Sequence, residues 1–195
     1  MSVAKATPRA RTHRRDQILS AATDLFRSRG FHAVGIDEIG SAAGISGPGV
    51  YRHFENKHAL LVAIFDRVAD DLVRQAQRIV DESTDAADAL AALLAFHVDF
   101  ALSDRALIAV YMQEERSLPA TDRRRIRKRQ RLYVEHWVDA VRGARPGMDD
   151  DEALTTVHAA FHLVASVASY EPTLERARLR ALLVRLASRV LLDGA

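Results

Sequence analysis

A chain of 195 residues, 48% of them apolar, has enough hydrophobic material for a helical body and a small appended domain, which excludes wholesale disorder. It contains no cysteine, so disulfides and thiolate redox chemistry are excluded, and with a net charge of only +2 the placement of charge says more than its sum. No apolar run approaches the ~20 residues of a membrane span, so no membrane partner and a cytoplasmic location are expected.

The N-terminus carries Lys5, Arg9, Arg11, Arg14 and Arg15 with no acid before Asp16, which reads as a basic flexible arm over residues 1–12. Helical spacing of Ile18, Ala21, Ala22, Leu25 and Phe26 predicts a first helix from about Arg14 to Arg29, stopped by Gly30. Gly35 then precedes Ile36, Asp37 and Glu38; Glu38 stands where a capping-box acid belongs, but Gly35 cannot supply the usual hydroxyl.

From Asp37 to Lys57 the sequence DEIGSAAGISGPGVYRHFENK packs a helix, a glycine turn and a second short helix into a segment with helix-turn-helix layout. Ile39, Ala43, Ile45, Val50 and Phe54 offer apolar contacts, Gly40 permits a close helix crossing, and Gly44 suits a left-handed exit from the first helix. Ser46 is a natural N-cap, and Pro48 is tolerated in a first turn because its missing N–H would be unpaired there anyway. Tyr51, Arg52 and His53 follow as side chains able to donate to phosphates or base edges. Gly47 and Gly49 weaken this short helix by about 1 kcal/mol each relative to alanine.

Beyond it, apolar periodicity predicts a fourth helix from Lys57 to about Asp81 and a fifth from Asp85 to Leu102, capped by Thr84. A sixth follows from Asp104 to Arg116, capped by Ser103, and a seventh from Asp122 to Arg142, capped by Thr121 and stopped by Gly143. The eighth is expected from Asp149 to Tyr170 and the ninth from Leu174 to Leu192. The fold class is therefore all-α with about nine helices. It divides into the arm (1–12), a three-helix helix-turn-helix domain (13–57) and a helical ligand-binding and dimerisation domain (58–195). The eighth helix is apolar nearly all round and the ninth repeats the theme, which predicts a homodimer joined through helices eight and nine.

Over about Arg14 to Leu72 the segments RRDQILSAATDLFRSRGF, DEIGSAAGIS and GVYRHFENKHAL resemble the TetR/AcrR family of transcriptional regulators. The resemblance implies a homodimer that binds a palindromic operator on double-stranded DNA and releases it when a small molecule enters the C-terminal domain, most often as a repressor. By position it implies Tyr51, Arg52 and His53 in the major groove, Ser46 on backbone oxygens, Lys57 on a phosphate, and Gly47 and Pro48 within the same interface. Arg9, Arg11 and Arg14 would embrace the duplex. Gly35 and Gly47 depart from the family pattern, the first removing a hydroxyl and the second a longer side chain.

The effector pocket is expected from Phe65, Phe96, His97, Phe100, Tyr111, Met112, Tyr133, Trp137, Phe161 and His162, an apolar lining with a few polar groups. The seventh helix opens on the basic run Arg123, Arg124, Arg125, Arg127, Lys128, Arg129 and Arg131, whose like charges repel unless something anionic neutralises them. Glu114 and Glu115 are possible internal partners. The sharper reading is that Arg124, Arg125 and Arg129 hold the phosphates of an acyl-CoA effector; family members that govern fatty-acid and sterol breakdown look similar here, with a pair like Gln113-Glu114 before the basic helix. No cofactor is required. A different class, a helical metal carrier or small enzyme without DNA binding, rests on His158 and His162 four apart, with His97 or His136 as a third ligand. No cysteine or adjacent acid supports it, buried hydrogen-bonded histidines being the plainer reading, and no catalytic constellation is present, so neither a metal nor an enzyme is expected.

Overall fold

The computed structural model describes residues 8–192, the side chains of residues 8–11 and Ser117 excepted; Lys5 therefore lies outside the described residues, and so do the side chains of Arg9 and Arg11. Among the described residues there are nine α-helices and no strand. The chain forms two compact units, 1–66 and 67–195, with the division falling inside the fourth helix.

The first unit holds α1 (Pro8–Arg29), α2 (Ile36–Ala42), α3 (Gly47–Tyr51) and the opening turns of α4 (Lys57–Glu82). Helix α1 starts at Pro8, before the expected Arg14, so it reaches into the stretch read as an arm. Pro8 suits that position, since a first-turn residue needs no N–H partner. The core of this unit is Ile18, Ala22, Phe26, Ile39, Val50, Leu60 and Leu61, all fully buried, with Phe31 and Phe54 nearly so. Phe26 meets Phe31 edge-on at 5.2 Å. Asn56 caps α4 by accepting from the Ala59 N–H at 2.8 Å.

The second unit contains the rest of α4, α5 (Ala86–Ser103), α6 (Arg105–Glu114), α7 (Ala120–Ala144), α8 (Asp150–Ala165) and α9 (Arg176–Leu192). Short 3₁₀ turns follow α6 (Glu115–Ser117) and α8 (Ser166–Ala168). Helix α5 is the apolar centre, packed on α7, α8 and α9. By length and composition alone it would pass for a membrane span, which the sequence reading did not recognise. It buries Leu90, Leu93, Leu94, His97 and Val98 in the bundle, and its Asp99 makes a two-pronged ion pair with Arg180 of α9 at 2.6 and 2.8 Å. That pairing holds the Asp99 carboxyl below the usual carboxylate range.

Several helix ends differ from expectation. Asp85, not Thr84, caps α5, accepting from the Asp88 N–H at 2.9 Å. Asp104 and Pro119 take the N-cap positions of α6 and α7 in place of Ser103 and Thr121. Gly143 does not stop α7: it lies inside the helix, and a Cβ there would come within 2.5 Å of the Ala86 Cβ, so its role is a close crossing with α5. The turn is supplied instead by Gly147, at φ 108°. Asp149 and Glu152 form a reciprocal capping box on α8. Helix α8 ends at Ala165, short of Tyr170, where Arg105 from α6 donates to the Val167 carbonyl at 2.8 Å and the Tyr170 carbonyl at 2.6 Å.

Candidate functional site

In the first unit the glycines do the work expected of them. Gly44 has φ 68°, and the N–H groups of Ile45 and Gly44 return to the carbonyls of Gly40 and Ser41 at 2.9 and 3.1 Å. This is the Schellman pattern, which closes α2 and turns the chain sharply into α3. A Cβ on Gly40 would lie 3.0 Å from backbone atoms of Ile45, Ser46 and Gly47, so α3 can cross α2 this closely only because the side chain is absent. Gly35 takes the N-cap position of α2 without a hydroxyl, and half of a capping box survives: its N–H donates to Glu38 Oε2 at 2.8 Å. That bond, with the Arg29 guanidinium beside it, lowers the Glu38 carboxyl.

Helix α3 buries Gly47, Gly49 and Val50 and exposes Ser46, Pro48, Tyr51 and Arg52, with Tyr51 at 54% exposure. Pro48, Tyr51 and Arg52, three and four positions apart, share one face of this turn, and Ser46 precedes it as the extended N-cap. The Ser46 carbonyl accepts from Gly49 and Val50, but its hydroxyl makes no capping bond. Gly47, expected within the DNA interface, has no exposed surface of its own to offer. It is buried, and a Cβ there would sit 1.8 Å from Asp37 Oδ1, so the α2 carboxylate fills the space a side chain would need. His53 is half-buried and Phe54 belongs to the core.

Other cations of this unit have internal partners. The Lys57 ammonium donates to the carbonyls of Phe31 at 2.9 Å and Val34 at 3.0 Å and lies 4.4 Å from the Phe31 ring centroid. The turn between α1 and α2 leaves those two carbonyls outside any helix, and Lys57 is the donor that satisfies them. Arg14 donates to the Ala43 carbonyl at the end of α2, at 3.4 Å, and Arg15 stacks over Phe54 at 4.6 Å. We predict that Lys57→Met lowers stability in urea unfolding by about 2 kcal/mol, the usual worth of charged hydrogen bonds to partly buried groups. A residue that merely touched phosphate would leave the unfolding midpoint where it was.

In the second unit an aromatic cluster forms where α5, α7 and α8 meet. His97 is buried; Phe161 stacks on its ring at 4.4 Å and 22°, and Trp137 approaches edge-on at 5.6 Å. Phe100 lies 6.2 Å away. His97 Nδ1 and the Tyr133 hydroxyl share a hydrogen bond of 3.2 Å. Burial holds the imidazole pKa down to about 4 and pushes the Tyr133 phenol up. Trp137 is fully buried and its indole N–H makes no hydrogen bond of acceptable geometry, although the Tyr133 hydroxyl is near enough to be stabilised by it.

The remaining expected lining residues scatter. Phe96 is half-buried against the core. Tyr111 bonds Gln130 at 3.1 Å, and burial raises its hydroxyl to about 12. Met112 and Gln113 are exposed, and so is His162, which lies on the outer face of α8 while its neighbour Phe161 turns inward. His158 is exposed too, so the two histidines expected to be buried are not. His162 Nδ1 bonds the His158 carbonyl at 2.8 Å, and no group of three or more metal-ligating side chains exists among the described residues. Phe65 is buried within the first unit.

The basic run on α7 is partly neutralised. Arg125 pairs with Asp122 at 2.7 Å, Arg127 with Glu115 at 2.6 Å and Arg129 with Asp70 of α4. Arg124, Lys128 and Arg131 are exposed without such partners. Spaced four and three apart, they share the face of α7 opposite Tyr133 and Trp137.

Residues 18–64 match the family described as bacterial regulatory proteins, tetR family, and residues 83–171 match the tetracyclin repressor-like C-terminal domain. The chain belongs to the tetR family. Two relatives are regulators by name. The transcriptional activator FasR of Mycolicibacterium smegmatis is 40% identical over 90 residues, covering 46% of this chain and 41% of that protein. The transcriptional repressor KstR2 of Rhodococcus jostii is 31% identical over 110 residues, covering 56% of this chain and 54% of that protein. The chain thus spans about half the length of these two relatives. The fold is shared with the transcriptional regulator FadR from Bacillus subtilis, solved in complex with stearoyl-CoA: TM-score 0.73 at 19% identity, covering 92% of this chain and 98% of that one.

Proposed function

We propose that this tetR-family chain is a ligand-responsive transcriptional regulator, a repressor that binds a palindromic operator as a homodimer and leaves it when a hydrophobic small molecule binds the second unit. The observation that carries the reading is the α2–α3 crossing at Gly40, which leaves Pro48, Tyr51 and Arg52 exposed on one face of a short helix of the size that enters a major groove, with Ser46 exposed at its start. Arg52 and Tyr51 read base edges and phosphates, and Ser46 donates to the backbone with a hydroxyl not used in capping. Arg9, Arg11 and Arg14 add phosphate contacts from the start of the chain. Lys57 has one remaining donor for a phosphate and otherwise braces the head; His53 and Gly47 support the helix rather than read DNA.

For the dimer, α8 and α9 present the exposed apolar residues Leu154, Leu186 and Leu192, and these two helices pack on each other. Apolar side chains of that size facing outward on a helix pair suit a four-helix bundle with a second copy. The effector reading follows from the aromatic cluster and from the regulators that resemble the chain, of which FadR is named with stearoyl-CoA. An acyl-CoA is therefore the effector class to test first. Arg125 and Arg129 are engaged by carboxylates, so its phosphates would compete for them or use Arg124 with Lys128 and Arg131. Because Arg129 holds Asp70 on α4, an effector that moves α7 would also move α4, the helix that continues into the head. A regulator of this kind acts in the cytoplasm.

The test is selection of bound fragments from genomic DNA, then gel shifts across a salt series with and without acyl-CoA. Affinity should fall linearly with salt on a logarithmic plot. Arg52→Ala should lose about 1–3 kcal/mol of selectivity while nonspecific binding persists, and acyl-CoA should release the complex. Failure to enrich any fragment rejects the regulator reading; enrichment unaffected by acyl-CoA rejects the effector.

A further inference from the structure

We infer that His97, Tyr133 and Trp137 form a hydrogen-bonding site for a neutral acceptor, a ketone or ester-type carbonyl, carried by the effector. This rests on the effector reading above but names the group recognised, independently of any nucleotide.

The argument is a count of donors. Trp137 contributes a buried N–H that makes no hydrogen bond of acceptable geometry, the Tyr133 hydroxyl beside it included, although such a group ordinarily finds a well-aligned partner. Among the described residues the only side-chain hydrogen bond of His97 is the one between Nδ1 and the Tyr133 oxygen, which leaves Nε2 unengaged there. If the phenol donates to Nδ1, the imidazole carries its proton on Nε2 and offers that N–H. If Nδ1 carries the proton and donates to the phenol oxygen, the phenol O–H is left to donate elsewhere. In either tautomer the cluster holds two unspent donors, the indole N–H and one other, in an aromatic setting. A carbonyl oxygen accepts two hydrogen bonds and brings no charge.

Charge is what the site rejects. The imidazole, held to about 4 by burial, is neutral at pH 7 and brings no counter-charge to an anion. The aromatic neighbours Phe161 and Phe100 offer only ring faces and edges. An ionised carboxylate placed here would lose its hydration with no counter-charge to replace it. Half-buried Phe100 and Phe161 flank the donors and provide apolar surface for the chain or ring that bears the carbonyl.

The test is calorimetric titration of the full-length protein at pH 7 with two matched pairs: 2-undecanone against undecanoate, and decanoyl-CoA against its carbonyl-free thioether, S-decyl-CoA. The ketone should bind at least about tenfold more tightly than the carboxylate, and the thioester about tenfold more tightly than the thioether. Trp137→Phe should close both gaps. Tyr133→Phe, which keeps the ring and removes the hydroxyl, serves if the first variant melts abnormally, and it leaves the sole tryptophan as a fluorescence reporter. Equal affinity within each pair, an undiminished preference in the variants, or no ketone binding would overturn the inference. Ketone preference without binding of either CoA compound would uphold it and remove the acyl-CoA reading. Equal binding of thioester and thioether together with ketone and carboxylate parity would do the reverse.

Discussion

Replacing Trp137 with alanine should destabilise the protein by about 3–5 kcal/mol, the largest loss expected from any single truncation in the second unit. The side chain is fully buried, lies 4.9 Å from the Phe161 ring and 5.6 Å from His97, and belongs to the cluster that joins α5, α7 and α8. Removing it opens a void that backbone-anchored rings on three helices cannot all collapse into. The thermal midpoint followed by far-ultraviolet circular dichroism should fall by roughly 10 °C, since 1 kcal/mol shifts a chain of this size by about 2–4 °C. Fluorescence cannot follow this variant, because Trp137 is the only tryptophan. A loss below about 1 kcal/mol would mean that the indole borders a space already open, with little packing to lose. Comparison with Trp137→Phe separates volume from hydrogen bonding: phenylalanine retains most of the apolar area, so a binding defect without a matching melting defect isolates the N–H.

How much of this was legible beforehand depends on how local the governing interaction is. Gly30 and Gly44 announced themselves because a left-handed residue at a helix end is a preference of the chain itself, visible without a partner. The capping box that opens α8 is equally local, since Asp149 and Glu152 satisfy one another within four residues. Caps elsewhere slipped by one, Asp85 for Thr84 and Asp104 for Ser103, because both neighbours have side chains that can cap and only the entering chain direction chooses between them. Gly143 was misread for a deeper reason. A glycine near a helix end and a glycine at a helix crossing look alike until Ala86 is known to stand against it.

The site divides along the same line. Outward Tyr51 and Arg52 follow from helical periodicity over a few residues. The engagement of Lys57 with Phe31 and Val34, and of Arg129 with Asp70, joins positions 26, 23 and 59 residues apart, and no spacing rule predicts such pairs. Counting cations in the α7 run therefore overstated the charge available to a ligand. Trp137 was expected as pocket lining, but its poorly paired N–H appears only when every nearby acceptor has been located. Tertiary pairing engaged some candidate ligand groups and left another, already expected in the lining, with a donor to offer.

Gly40→Leu should abolish selective DNA binding and lower the stability of the head by about 3 kcal/mol, at the upper end of overpacking penalties. The reason is the nature of the obstacle. At Gly47 the first atom of a new side chain would meet Asp37 Oδ1, the end of an exposed side chain that can rotate away. At Gly40 it would meet backbone atoms of Ile45, Ser46 and Gly47, all at 3.0 Å, and these are the residues that turn the chain into α3. They can yield only by carrying α3 away from α2, which would break the return of the Ile45 N–H to the Gly40 carbonyl. Gly47→Ala should therefore be tolerated with near-native DNA affinity, whereas Gly40→Leu should lose selective shifts even in low salt. Effector binding to the second unit, read by calorimetry on the same Gly40→Leu protein, should persist. If Gly40→Leu retains selective binding, the tight crossing is not what aims Tyr51 and Arg52, and base recognition must come from another part of the head.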